Sequence, residues 1–399
     1  MSIRHLDALF VPGSVAVFGA SERPASVGST VWHNLHQQFT GRLYPVNPKH
    51  AALGGVTAYP DVDALPETPD LAVICTPATT VVKLIEQLGE RGTRAAIVVT
   101  AGLDKATKQA MLDAARVHTL RILGPNCIGL LVPHLGLNAS FAHIGALPGE
   151  LAFVSQSGAL VTAMLDWAAS RGIGFSHFVS LGERADVDFG DMLDFLGSDP
   201  KTRAILLYIE SIDESRKFMS AARAAARNKP VIVVKAGRSS AGQAAAASHT
   251  GALAGSDAVF DAAIARSGML RVLTLPDLFL AAETLARFRD GPSGALTVLT
   301  NGGGAGVMAA DEAAALGVPL TKLNDAMLAR LDAVLPGNWS RANPVDIIGD
   351  APAARYVAAL DALAHDTDSA VLFIHAPTAI VPSAEIAQAL LPQVTAQPK

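Results

Sequence analysis

Two cysteines, Cys75 and Cys127, are all that 399 residues contain. That scarcity excludes a disulfide framework and points to a reducing compartment, so the cytoplasm is the expected location. Aromatic residues are sparse at 5%, although half of the chain is apolar. The core must therefore be built from Ala, Val, Leu and Ile. The 31 basic residues are outnumbered by 36 acidic ones, and no long basic run occurs. This composition excludes nucleic acid and an anionic membrane as partners. Every apolar run is interrupted by polar residues, glycine or proline before it could span a bilayer. Asp7 and Pro12 precede the first apolar run, which leads straight into a glycine turn. That run reads as a first strand and not as a signal peptide. No low-complexity linker and no solenoid repeat is present.

What the sequence does have is alternation. Short apolar runs at 14–18, 43–46, 71–75, 95–99 and 121–123 are separated by helix-like stretches at 29–38, 79–91 and 106–117. A second series has strands at 151–154, 175–180, 204–208 and 231–235, with helices at 159–170, 188–196 and 215–227. A third follows the break at residues 290–294, with strands at 296–299 and 371–374 and helices at 307–316 and 383–391. This rhythm predicts an α/β protein: a Rossmann-like domain over 1–145 and two flavodoxin-like, doubly wound domains over 146–291 and 292–399. The third has few elements, so it reads as cut from something longer.

Ligands of open α/β sheets bind at the carboxyl ends of the strands. In the first domain these ends carry GASERPASVG, NPK, CTPA, TAG and GPNCIG. Gly19 ends a strand and Gly28 begins a helix, an arrangement that can present N–H groups to a phosphate. A nicotinamide-dinucleotide reading is weakened by Ser21 at the middle glycine position and by Lys49 where an acid would bind a ribose.

In the second domain a stretch of small residues, 236–255, surrounds His249 and reads as a mobile loop. An imidazole nitrogen can hold a phosphoryl group near neutral pH. Ser155, Gln156, Ser157 and Gly158 form a turn at a helix start, and Asn301-Gly302-Gly303 forms another; both offer N–H donors to an anion. Glu210 ends a strand where a carboxylate could orient an imidazole.

The ordered set of first-domain loops, with SQSG, YIE, SHTGALAG and NGGGAG, resembles the ADP-forming acetate/acyl-CoA synthetases, relatives of the α chains of succinyl-CoA synthetase. The resemblance covers nearly the whole chain. It implies coenzyme A contacts at Gly19, Ser21, Gly28, Lys49, Thr76, Pro77 and Asn126. It implies phosphate contacts at Ser155, Gln156, Ser157, Gly158, Gly302 and Gly303, a phosphohistidine at His249 and an orienting glutamate at Glu210. The implied reaction converts acyl-CoA, phosphate and ADP to acid, CoA and ATP through acyl phosphate and phosphohistidine. It further implies a small carboxylic acid or acyl-CoA as substrate, an oligomeric assembly, and an ATP-grasp domain or subunit, not found in this sequence, that brings ADP/ATP and Mg²⁺. No metal site is expected in this chain itself. A second reading is a CoA- or acetyl-CoA-sensing module of a fused protein N-acetyltransferase.

Overall fold

A computed structural model describes residues 3–250, 256–288, 294–364, 369–378 and 382–396. The chain divides into two compact units, Met1–Arg287 and Phe288–Lys399.

Besides a small hairpin of Ala52–Leu53 with Val56–Thr57, the first unit contains two large sheets. One has five parallel strands in the order Arg42–Val46, Ser14–Phe18, Leu71–Ile74, Ala95–Val98, Arg121–Leu123. Ser14–Phe18, Leu71–Ile74 and Ala95–Val98 are buried throughout, as continuous apolar strands sandwiched by helices must be. The other sheet has seven strands, in the order Leu270–Val272, Val231–Lys235, Ala204–Ile209, Leu147–Ser155, Gly174–Ser180, Gly129–Val132, Leu137–Ser140. Its first five are parallel, and the last two form an antiparallel extension. In both sheets the first of the parallel strands lies between the second and the third. Helices therefore leave toward opposite faces, and a crevice opens at the strand ends.

The antiparallel extension departs from the sequence reading, which left 129–140 unassigned within a domain over 1–145. These residues pair with the second sheet, yet Asn34 of the helix Val27–Gln38 donates to the carbonyls of Ser140 and Ala142, both at 2.9 Å. Hydrogen bonds to both partners satisfy the backbone of this segment, which local apolar periodicity cannot reveal. A second correction concerns residues 236–255. Ser240–Thr250 is an α-helix and not a loop. The run Ala244–Ala247 supplies the high helix propensity that the loop reading undervalued. Residues 251–255 lie outside the described residues.

Buried charge ties the two sheets together. Arg121, at the edge of the first sheet, meets Asp186 at 2.9 Å and Asp191 at 3.1 Å, and Lys217 meets Asp191 at 2.7 Å. Burial raises the carboxyl pKa of Asp191, and the hydrogen bond and charge of Lys217 and the charge of Arg121 pull it back.

The second unit has three parallel strands in the order Val345–Asp346, Ala295–Thr300, Ser369–Ile374. Its core includes Leu299, Leu331, Val345, Tyr356 and Ile386. The switch in strand order recurs here.

Two predictions concern stability. A Cβ added at Gly28 would stand 1.9 Å from the carbonyl oxygen of Gly19. Gly28→Ala should therefore cost about 1–3 kcal/mol by overpacking, read as a lower urea midpoint. His177 is buried against Phe10 and Phe195, with ring centroids at 5.3 Å and 5.7 Å. Burial holds its pKa well below the usual value, to about 4, against the opposing pull of Asp199. The unfolded chain then binds more protons than the folded one as pH falls from about 6.5 toward that lowered value. Stability should be full above this window and decline through it, with a shallower decline in His177→Gln by acid titration of the unfolding midpoint.

Candidate active site

In the first sheet Gly19 takes a φ of +85° and lies against Gly28, so the helix start sits directly on the strand end. This close approach accounts for both glycines without a ligand. Ser21 Oγ accepts the Arg23 N–H at 2.9 Å, and Ser26 caps the helix by accepting the Ser29 N–H at 3.3 Å. The helix begins at Val27, two residues before the expected start. Lys49 is exposed, its N–H donated to Asn47 Oδ1 at 3.0 Å. Asn47 in turn donates to the Ala20 carbonyl at 2.7 Å, joining the two loops. Thr76 shares a 2.7 Å hydrogen bond with Thr80, and its carbonyl accepts from Thr100 at 2.7 Å.

In the second sheet the strand Leu147–Ser155 runs into a turn fastened by its own last side chain. Ser155 Oγ accepts the Ser157 N–H at 3.0 Å and donates to the Ser157 carbonyl at 2.8 Å. The helix Gly158–Ala169 follows, and no side chain caps it, so its first N–H groups face outward. Gln156 Oε1 accepts the N–H groups of Glu210 at 2.7 Å and Ser211 at 3.0 Å. The amide thus spans the crevice between the first and third parallel strands and anchors Glu210, whose side chain is buried. Beside Glu210, the Tyr208 phenol is pushed up to about 12 by burial and by the glutamate.

These loops line one cleft of about 1100 Å³. Thr76, Pro77 and Asn126 form one wall, and Gln156, Ser157, Gly158 and Glu210 the other. Gly19, Ser21, Gly28 and Lys49 are not among its lining residues. Asn126, held at φ +55°, donates to Glu183 at 3.4 Å, and Lys108 donates to the same carboxylate at 2.6 Å. Cys127 also lines the cleft, but burial pushes its thiol up to about 12, which leaves it a poor nucleophile near neutral pH.

His249 falls near the end of the helix Ser240–Thr250, and its side chain lies outside the described residues. Gly302 and Gly303 belong to the second unit. There the Gly302 N–H donates to Thr300 Oγ1 at 3.1 Å, which donates back to the Gly302 carbonyl at 3.3 Å. The following helix, Gly303–Ala315, starts four residues earlier than expected and also lacks a side-chain cap.

Sequence reasoning missed Lys108, Glu183 and Arg184. Two adjacent charges in a loop directly after a strand, Glu183-Arg184, were the available signal, but their partners lie 27 to 75 residues away.

Residues 13–133 match the CoA binding domain, and residues 148–285 match the succinyl-CoA ligase like flavodoxin domain. The α subunit of acetate–CoA ligase [ADP-forming] I from Pyrococcus furiosus is 39% identical over 398 residues, covering 97% of this chain and 86% of that subunit. The chain belongs to the ADP-forming acetate–CoA ligase family. A further member, acetate–CoA ligase [ADP-forming] I of Archaeoglobus fulgidus, is 41% identical over 94% of this chain, which spans only 55% of that relative's length. A solved member of the family has the same architecture. The dinucleotide forming acetyl-coenzyme A synthetase 1 of Ca. Korarchaeum cryptofilum, in complex with phosphate and ADP, aligns with a TM-score of 0.94 at 37% identity, over 98% of this chain and 86% of that one.

Gln156→Ala would leave two N–H groups without their acceptor. We expect a loss of about 1–3 kcal/mol in urea unfolding, from burying donors unpaired.

Proposed function

We propose that this chain is the CoA-binding and phosphoryl-accepting part of an ADP-forming acyl-CoA ligase. The observation that carries the proposal is the shared cleft. It joins the strand-end loops of the CoA binding domain to an uncapped helix start and to the buried Glu210.

In this reading acyl-CoA lies along Thr76, Pro77 and Asn126. The adjoining Gly19–Gly28 loop and Lys49 take the nucleotide end, where the ammonium of Lys49 faces a phosphate. Inorganic phosphate sits at the N–H groups of residues 157–159. One of its oxygens attacks the thioester carbonyl, the C–S bond breaks, and CoA leaves as the thiol after taking a proton. His249 then attacks phosphorus, the P–O bond to the acyl group breaks, and the carboxylate leaves. Fixed N–H dipoles stabilise the transferring anion without reorganising during the reaction, which is the main contribution such a site makes. Glu210 accepts a hydrogen bond from one imidazole N–H, which leaves the other ring nitrogen free to attack and offsets the positive charge the ring gains as the N–P bond forms. The helix start at Gly302 and Gly303, built like that at Ser155, is a second phosphate-binding element.

Among the described residues no cluster of three or more His, Cys, Asp or Glu side chains could hold a metal ion. In this reading ADP and Mg²⁺ are brought by an ATP-grasp domain or β-type subunit that completes the enzyme. The α subunit from Pyrococcus furiosus supports such a division. Ligase chemistry is supported over the acetyltransferase-linked alternative by the relatives, which are ligases. No helix among the described residues is long and apolar enough to cross a membrane. A cytoplasmic site of action fits the two free cysteines, and assembly into an oligomer is a separate part of the proposal.

Incubation of the chain with acetyl-CoA and [³²P]phosphate should yield acid-labile, alkali-stable protein-bound phosphate. His249→Ala should carry none. Label retained by that variant would refute the assignment.

A further inference from the structure

The segment that carries Glu210 is gripped from two sides. On one side stands Gln156. On the other stands Arg184, whose side chain is only 7% exposed. Its guanidinium donates to the Ser211 carbonyl, to Ser211 Oγ at 3.0 Å and to Asp213 at 2.9 Å. It also lies over the Phe189 ring at 6.0 Å. A planar fork of donors fixes a loop in a way that a single ammonium cannot. Arg184 itself sits at φ +51°, a conformation that a long side chain adopts only when its surroundings impose it.

The surroundings that impose it belong to the CoA-side wall. Glu183 N–H donates to the Pro125 carbonyl at 2.9 Å, and Ala185 N–H donates to the Gly124 carbonyl at 3.0 Å. A Cβ on Gly182 would come within 2.3 Å of the Pro125 oxygen, so the two loops touch backbone to backbone. The side chain of Glu183 meanwhile holds Asn126 and Lys108. One short loop is thus hydrogen-bonded to the wall bearing Asn126 and, through Arg184, to the segment bearing Glu210.

We propose that Arg184 is a positioning residue, which sets Glu210 against the phosphoryl acceptor by clamping Ser211 and Asp213 to its own loop, itself hydrogen-bonded to the loop that carries Asn126. The proposal rests on the reading of Glu210 given above. It assigns Arg184 no contact with the reacting atoms. Glu210 works only if its carboxylate is held, and the two clamps hold the backbone on either side of the turn that follows it.

Two measurements test this. The first is amide hydrogen exchange across residues 210–213, which does not depend on catalysis. Arg184→Ala should speed exchange there by about tenfold or more while the strand Ala204–Ile209 keeps its protection. Unchanged exchange would overturn the clamp. The second is the rate of phosphoenzyme formation from acetyl-CoA and phosphate. Arg184→Ala should lower it about tenfold with the Kd for CoA unchanged within about twofold, because the loss passes through Glu210 and not through CoA. In a Glu210→Gln background, or Glu210→Asp if the former is too slow to follow, the same substitution should add less than about twofold. A full further loss in that background, or labelling of Arg184→Ala at the wild-type rate, would overturn the positioning role. Absence of label from the wild type would count against the phosphohistidine reading alone, and the exchange measurement would still decide whether the clamp exists.

Discussion

The site depends on a constraint of strand order. When a parallel sheet places its first strand between its second and third, the connecting helices must leave toward opposite faces, and the two central strand ends cannot be covered by one crossover. This order occurs in each of the three sheets built on parallel strands. Each opening exposes backbone groups that need partners. In the second sheet Gln156 supplies them, accepting two N–H groups from across the gap. In the third, Asn301 does the same work by donating to the Ala376 carbonyl at 2.9 Å and accepting its N–H at 2.7 Å. The preceding hydroxyl, Ser155 or Thr300, closes the turn onto itself in both. Satisfying these groups locally leaves the helix N–H donors behind them uncommitted, and these are the donors the proposed phosphate sites would use.

Charge around the cleft follows the same economy. Lys108 is paired with Glu183 and Arg184 with Asp213. Burial lowers the pKa of Arg184, opposed by Asp213, Asp188 and Glu210. Oriented amides at the Gln156 turn can hold an anion without the rearrangement that a long flexible side chain requires.

Much of this was legible in the sequence because it is local. Continuous apolar strands, the Gly19 and Gly28 turn, and the small polar residues after each strand announce themselves within a few positions. The helix over Ser240–Thr250 was misread because small residues permit both a loop and a helix, and four consecutive alanines favour the helix. The 129–140 segment was missed because antiparallel pairing to a sheet from another part of the chain leaves no periodic trace. Glu183 and Arg184 escaped notice for a related reason. Their importance lies in partners supplied by Pro125, Asn126 and Ser211, and pairing across such separations is a property of the fold.

The hairpin Gly129–Ser140 has a mechanical consequence. It follows the edge strand of one sheet after a single tight turn, completes the other sheet, and is fastened again to the helix Val27–Gln38. The two walls of the cleft are thereby stitched together by continuous chain. Prising them apart would mean tearing an edge of the larger sheet. A cavity whose walls are joined in this way is shaped before any ligand enters, and preorganisation of that kind lowers the cost of binding.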